Sequence, residues 1–463
     1  GTMTAGTSAV TISGVTYTKA ETGVVLTATG SVAGNVNGKT GDSNAFTVVA
    51  GAADAAVSTL TPTSASIVAD GSTQVLVVTA KDANGNNLTA GGATVTITNS
   101  SGSGTIGSVT DNGNGTYSAT VTAPNTAGSG VFVATLGAAQ VKSGTGSQTQ
   151  STITYTAGSA TKLVVSNIAQ QTAGTGFAVT VTLTDANGNP VNATLDGTVT
   201  LTRKTGTGTL GGTVTGTMTA GTSAVTISGV TYTKAETGVV LTATGSVAGN
   251  VSGKTGDSNA FTVVAGAADA AVSTLTPTSA SIVADGSTQV LVVTAKDANG
   301  NNLTAGGATV TITKSSGSGT IGSVTDNGNG TYSATVTAPN TAGSGVFVAT
   351  LGAAQVKSGT GSQTQSTITY TAGSATKLVV SNIVQQTAGT GFAVTVTLTD
   401  ANGNPVNATL DGTVTLTRKT GTGTLGGTVT GTMTAGTSAV TISGVTYTKA
   451  ETGVVLTATG SVA

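Results

Sequence analysis

The stretch FAVTVTLTDANGNPVNATLDGTVTL, residues 177–201, constrains the fold more than any other part of the chain. Phe177, Val179, Val181 and Leu183 fall on one face at period two, with small or polar residues between them. Asn187-Gly188 supplies the left-handed backbone that a tight reversal needs. The stretch reads as a half-buried β-hairpin of an antiparallel sheet, with Val199 and Leu201 answering from the returning strand. The same DANGN begins at Asp82, Asp185, Asp297 and Asp400, at spacings of 103, 112 and 103 residues. A hairpin recurring at that interval implies a small β-domain recurring with it.

A longer repeat contains the short one. GTMTAGTSAVTISGVTYTKAETGVVLTATGSVA begins at Gly1, Gly216 and Gly431, a period of 215 residues. Residues 1–248 laid on 216–463 differ at three places: Asn37 against Ser252, Asn99 against Lys314, and Ala169 against Val384. Each period holds two domains, A and B. The strands expected in A are Ser66–Ala69, Thr73–Lys81, Ala93–Thr98, Ile106–Thr110, Thr116–Thr122, Val131–Leu136 and Ser151–Thr156. In B they are Lys162–Ser166, Phe177–Thr184, Gly197–Thr202, Thr213–Met218, Ala224–Ser228, Val239–Ala243 and Ala260–Val264. Short strands between Gly/Asn/Ser turns, with no capped helical pattern, indicate an all-β chain of tandem β-sandwiches. The expected units are 1–51 (the last strands of a B), 52–158 (A), 159–266 (B), 267–373 (A) and 374–463 (a B without its last strand). The chain opens in mid-pattern and reads as a window on a longer repetitive protein.

Composition narrows the function. Charged residues are 7% of the chain, where roughly a quarter is usual. The net charge of −1, without a basic cluster, offers no footprint for nucleic acid. No run approaches the ~20 apolar residues that span a bilayer, so no membrane insertion is expected in this segment. There is no His and no Cys, and the acids lie almost wholly in turns. No nucleophile–base pair can be named, and no enzymatic activity, catalytic residue, metal or cofactor is expected. Asp82, Asn84 and Asn86, like Asp185, Asn187 and Asn189, place oxygens at alternate positions as a calcium loop does. One carboxylate per loop is thin for calcium, and the turn already explains every residue. Tyr17 and Tyr117 read as core aromatics whose hydroxyls bond nearby backbone. Lys19 and Glu21 lie in a polar turn, unsuited to the buried site that a Lys–Asn cross-link requires.

Domain A, through DGSTQVLVVTAKDANGN and DNGNGTYSATVTAP, resembles the bacterial immunoglobulin-like repeats of invasin and intimin, and its second segment also resembles filamin repeats. Domain B, through GFAVTVTLTDANGNPVN and TAGTSAVTISGVTYTKAETGVVLTA, resembles the Ig-like repeats of large secreted or surface-attached bacterial proteins. The resemblance implies rods, stalks and adhesin spacers on a bacterial exterior. The short joints VVAGAADAAVS and YTAGSATKLVV imply sandwiches in end-to-end contact, an elongated rod advancing ~80 Å per period at roughly 40 Å per sandwich. The expected role is a structural segment of an extracellular bacterial filament or giant surface protein, giving reach and tensile continuity. The alternative is the stalk of an adhesin binding polysaccharide or a host surface. The expected partners are neighbouring repeats and lateral chains of its own kind; the sequence names no receptor. The uncharged Thr/Ser/Asn surface, whose edge strands lack lysines, suits either lateral pairing or O-glycosylation.

Overall fold

The computed structural model describes every residue except Ala33, Ala248 and Ala463, with the side chain of Val462 also outside the description. In the first A sandwich the strands are β1 (Thr59–Thr61), β2 (Ser64–Val68), β3 (Thr73–Thr79), β4 (Val95–Gly102), β5 (Thr105–Ile106), β6 (Thr110–Asp111), β7 (Thr116–Thr122), β8 (Gly128–Leu136), β9 (Ala139–Gln140) and β10 (Gln150–Thr156). One sheet has the order β6-β7-β3-β1, with β5 also on β7; the other has β9-β8-β10-β2, with β4 also on β8. The first B sandwich has β11 (Lys162–Val165), β12 (Gln171–Thr172), β13 (Phe177–Thr184), β14 (Gly197–Thr205), β15 (Leu210–Gly212), β16 (Thr215–Met218), β17 (Ala224–Tyr232), β18 (Glu236–Val247), β19 (Thr255–Asp257) and β20 (Phe261–Val264). Its sheets run β11-β13-β17-β15 and β12-β20-β18-β14-β16, with β19 on β18. All pairs are antiparallel except β2–β10 and β12–β20.

Alternation builds the cores. Along β8, Phe132, Ala134 and Leu136 point inward while Val131, Val133 and Thr135 are half-exposed. Each A core centres on two tyrosines and a phenylalanine, Tyr117, Tyr155 and Phe132 in the first copy, all buried. Each B core is aliphatic: in the first copy Val179, Val181, Leu183, Val199 and Leu201 surround Tyr232, and Phe177 meets Phe261 edge to face at 6.1 Å. Among the described residues, four separate clusters of buried side chains lie along the chain. The total accessible surface is 22954 Å². A single globule of this mass would expose about 15,000 Å², whereas four to five separate ~10 kDa domains would expose ~23,000 Å².

The 177–201 stretch is not a hairpin. β13 pairs with β11 and β17, whereas β14 pairs with β16 and β18 in the opposite sheet. The reversal at DANGN holds only briefly, through Asp185 N–H to Asn189 O at 3.0 Å and Val191 N–H to Leu183 O at 2.9 Å. The chain then crosses to the other layer. Val199 and Leu201 are buried as expected because alternation reports which face is inward, and both sheets share one interior. It does not report which sheet a strand joins. In A the same crossing separates β3 from β4.

Other strands depart in detail. Thr116–Thr122 and Phe177–Thr184 have the expected bounds; Ile106–Thr110 divides into β5 and β6, and β1, β9, β12, β15 and β19 are additional. A 3-10 turn at Gly249–Val251 buries Val251 in the B core. The largest difference is at the start. Residues 1–20 form no strand, although the same sequence at 216–235 supplies β16 and β17. The strands that pair with β16 and β17 in the intact sandwich, β14 and β13, have no counterparts among residues 1–51. Ile12 is accordingly 57% exposed where Ile227 is 1% exposed.

Candidate functional site: the joints between sandwiches

All four DANGN loops lie where one sandwich meets the next. The incoming linker reaches the loop or the strand before it: Ala53 bridges Asp82, Ala268 bridges Asp297, and Thr161 N–H donates to Thr184 O at 2.8 Å. In every joint a linker glycine donates its N–H to the loop aspartate. Gly51 to Asp82, Gly158 to Asp185, Gly266 to Asp297 and Gly373 to Asp400 each measure 2.9 Å to Oδ2. The other carboxylate oxygen accepts from within the loop: Asp82 Oδ1 takes Asn84 N–H at 3.0 Å and Asn86 N–H at 2.9 Å. The Asn86 amide, with Gly51 and the loop N–H groups behind it, holds the Asp82 carboxyl at about 2. Asp400 is likewise at about 2, chiefly through the Asn404 amide against the opposing effect of burial. Burial pushes Asp185 and Asp297 up, but their N–H donors outweigh it and both titrate below the ordinary range.

The last asparagine of the motif reaches across the joint. Asn86 Nδ2 donates to Thr18 O at 2.8 Å, and its Oδ1 accepts Ala20 N–H at 2.9 Å. Asn301 does the same on Thr233 O and Ala235 N–H, at 2.8 and 2.9 Å. In the A-to-B joints Asn189 takes Asn125 O and Ala127 N–H at 2.9 and 2.8 Å, and Asn404 takes Asn340 O and Ala342 N–H at 2.8 and 2.7 Å. A primary amide has a donor and an acceptor side by side, so it pairs with the carbonyl of one turn residue and the N–H of the second residue after it. The same Nδ2 also donates to the loop aspartate, at 2.9 Å from Asn189 to Asp185 Oδ2. Aspartate, linker and preceding turn are thus tied through one side chain.

The receiving turn of B is itself fixed. Tyr232 is buried, accepts Gly208 N–H at 2.9 Å and donates to Glu236 Oε1 at 2.5 Å. Glu236 also accepts Thr207 N–H at 2.7 Å and Gly208 N–H at 3.0 Å. Burial opposes ionisation of Glu236, but the Tyr232 hydroxyl and these N–H groups hold its carboxyl at about 2. The Thr233–Ala235 backbone, two bonds from Asn301, is therefore presented in a set conformation.

The residues singled out in the sequence divide as follows. The alternate oxygens of DANGN face N–H donors: Asp82 receives hydrogen bonds on both oxygens and Asn86 Oδ1 receives Ala20 N–H, an arrangement unsuited to a cation. Tyr117 is a core aromatic that accepts Ala93 N–H at 2.9 Å. Tyr17 is 43% exposed and bonds Glu21, whereas its counterparts Tyr232 and Tyr447 are core aromatics. Lys19 pairs with Glu21 at 2.7 Å on the surface. Among the described residues no group of three or more His, Cys, Asp or Glu gathers, and no helix is long and apolar enough to cross a membrane. Sequence reasoning missed the joint role of Asn86, Asn189, Asn301 and Asn404 and of the turns that receive them. The signal was present. A plain turn has no need of the same five residues in two domains that otherwise differ.

Residues 54–158 and 269–373 match the family model of invasin domain 3. No curated protein matches the chain. Among solved structures, FdeC, an adhesin of Escherichia coli, aligns at 26% identity over 70% of this chain and 100% of its own, with a TM-score of 0.37. Invasin, a bacterial integrin-binding protein, aligns at 21% identity over 65% of this chain and 56% of its own, with a TM-score of 0.31. InvD of Yersinia pseudotuberculosis aligns at 22% identity over 63% and 85%, with a TM-score of 0.32. What the comparisons show is a likeness of the two A sandwiches, residues 54–158 and 269–373, to domain 3 of invasin.

Proposed function

We propose that this chain is a mechanical spacer, a semi-rigid segment of an extracellular bacterial surface protein or filament that supplies reach and carries tension. The observation that carries this reading is the four-fold recurrence of one latch. At every joint an aspartate holds the linker and an asparagine holds the preceding turn. A flexible tether needs no such contacts, and a domain acting alone gains nothing from them. Near-identical periods add length, and the paucity of charge leaves little for electrostatic steering of a ligand. The chemistry available is backbone recognition within the chain, and no catalytic role is assigned to any residue. Electron microscopy of native cells labelled with antibody to the repeats tests the proposal. Surface fibres or stalks carrying label at a regular axial interval are expected; label confined to the cell interior overturns it.

A further inference from the structure

The four latches share a motif but not a grade. In both A-to-B joints the middle asparagine adds a bond that the B-to-A joint with B complete lacks: Asn187 Nδ2 donates to Ala69 O at 2.9 Å and Asn402 Nδ2 to Ala284 O at 3.0 Å. At the B-to-A joint between residues 266 and 297, the counterpart Asn299 lies against Gly174 without such a bond. Burial follows the same division. Asn189 and Asn404 are buried, whereas Asn86 and Asn301 are half-buried. The residue before the motif agrees as well. It is Thr184 or Thr399 in A-to-B joints, each 3% exposed, and Lys81 or Lys296 in B-to-A joints, each half-exposed. A lysine keeps its ammonium in water, so the B-to-A joint stays wet at its edge, whereas a threonine lets the A-to-B joint close over it.

We infer that the A–B pair, and not the single sandwich, is the unit that moves as one body, with Asn187 and Asn402 binding each pair and the B-to-A joints serving as the hinges of the array. The pair spans one 215-residue period, as a B–A pair also would, so it is the joint contacts and not the repeat that single it out. This goes beyond the spacer reading and holds wherever the protein resides.

The structure supplies its own matched reporters. The amides of Gly51, Gly158, Gly266 and Gly373 all donate to an aspartate Oδ2 at 2.9 Å, so differences in their exchange read the opening of the joint and not the local bond. Hydrogen exchange on the whole chain should show Gly158 and Gly373 exchanging more slowly than Gly266, by a few-fold to about tenfold for one additional hydrogen bond. In the double variant Asn187→Ala, Asn402→Ala, the amides of Gly158 and Gly373 should rise to the Gly266 rate. The tyrosine-centred A cores should keep their protection, which shows that the sandwiches remain folded. Equal rates in the unsubstituted chain, or faster exchange at Gly158 than at Gly266, overturn the inference. A difference that survives the double variant overturns the role of the two asparagines.

Discussion

Replacing Asn189 by alanine removes one side chain that makes three contacts: to Asn125 O at 2.9 Å, from Ala127 N–H at 2.8 Å and to Asp185 Oδ2 at 2.9 Å. The two neutral bonds contribute about 0.5–1.5 kcal/mol each and the charge-assisted one about 1.5–3 kcal/mol. Their sum, roughly 2.5–6 kcal/mol, is an upper limit, because a joint that opens lets water reach the abandoned groups. The loss cannot exceed the free energy that holds the joint closed. Melting of the individual sandwiches should therefore move little while the joint opens far more often; a loss of only ~1.4 kcal/mol raises the open fraction tenfold. The Gly158 amide is the reporter, since its acceptor Asp185 Oδ2 is retained in the variant. Its exchange should accelerate at least tenfold, with the amides of β3 and β7 unchanged. Asn189→Asp should open the joint further at neutral pH, because it sets a second carboxylate against Asp185 at hydrogen-bonding distance. Unchanged Gly158 exchange in an intact Asn189→Ala protein would refute the latch.

Acid should loosen the joints. Asp82 and Asp400 titrate at about 2 when folded, below the ~3.9 of an unfolded aspartate, so the stability they add is full above ~4 and is lost as pH falls toward 2; the amides of Gly51 and Gly373 should lose protection across that window, as followed by exchange at stepped pH. Removing the Tyr117 hydroxyl leaves the Ala93 N–H without its acceptor, so Tyr117→Phe should cost the first A sandwich about 1–3 kcal/mol in urea unfolding, with no change at the joints. Chelation should leave the melting midpoint unchanged, because the DANGN oxygens are engaged by N–H donors; a fall of several degrees with EDTA would return Asp82 and Asp185 to the metal reading. Lateral association of long arrays, read by sedimentation, should be nearly independent of salt up to ~1 M, since 7% charged residues leave little to screen; association that vanishes with salt would assign it to the few ion pairs.

The sandwiches were legible in the sequence because inward-facing residues must alternate, and Val179, Val181 and Leu201 are buried where the pattern places them. Sheet membership was not. Val179 and Val199 look alike from either layer, and what separates β13 from β14 is the crossing after Val191, which no periodicity marks. The asparagine latches at the joints escaped notice for another reason: Asn86 and Asn189 satisfy every rule for a turn, and their partners Thr18 and Asn125 lie more than sixty residues away, contributing only backbone. Backbone acceptors leave no compositional trace. The alternation of Lys and Thr before DANGN was visible throughout, but it acquires meaning only once that position is seen to edge a joint.

Small-angle scattering on the whole chain, compared with a variant carrying Asn86→Ala, Asn189→Ala, Asn301→Ala and Asn404→Ala together, tests the latched rod most directly. The unsubstituted chain should scatter as an elongated particle with a maximum dimension on the order of 170 Å, at roughly 40 Å per sandwich. The variant should retain its sandwiches, as read by circular dichroism, yet show a broader and on average shorter distribution of distances, because free joints bend. A folded-back or already flexible unsubstituted chain, or a variant indistinguishable from it, would contradict the account.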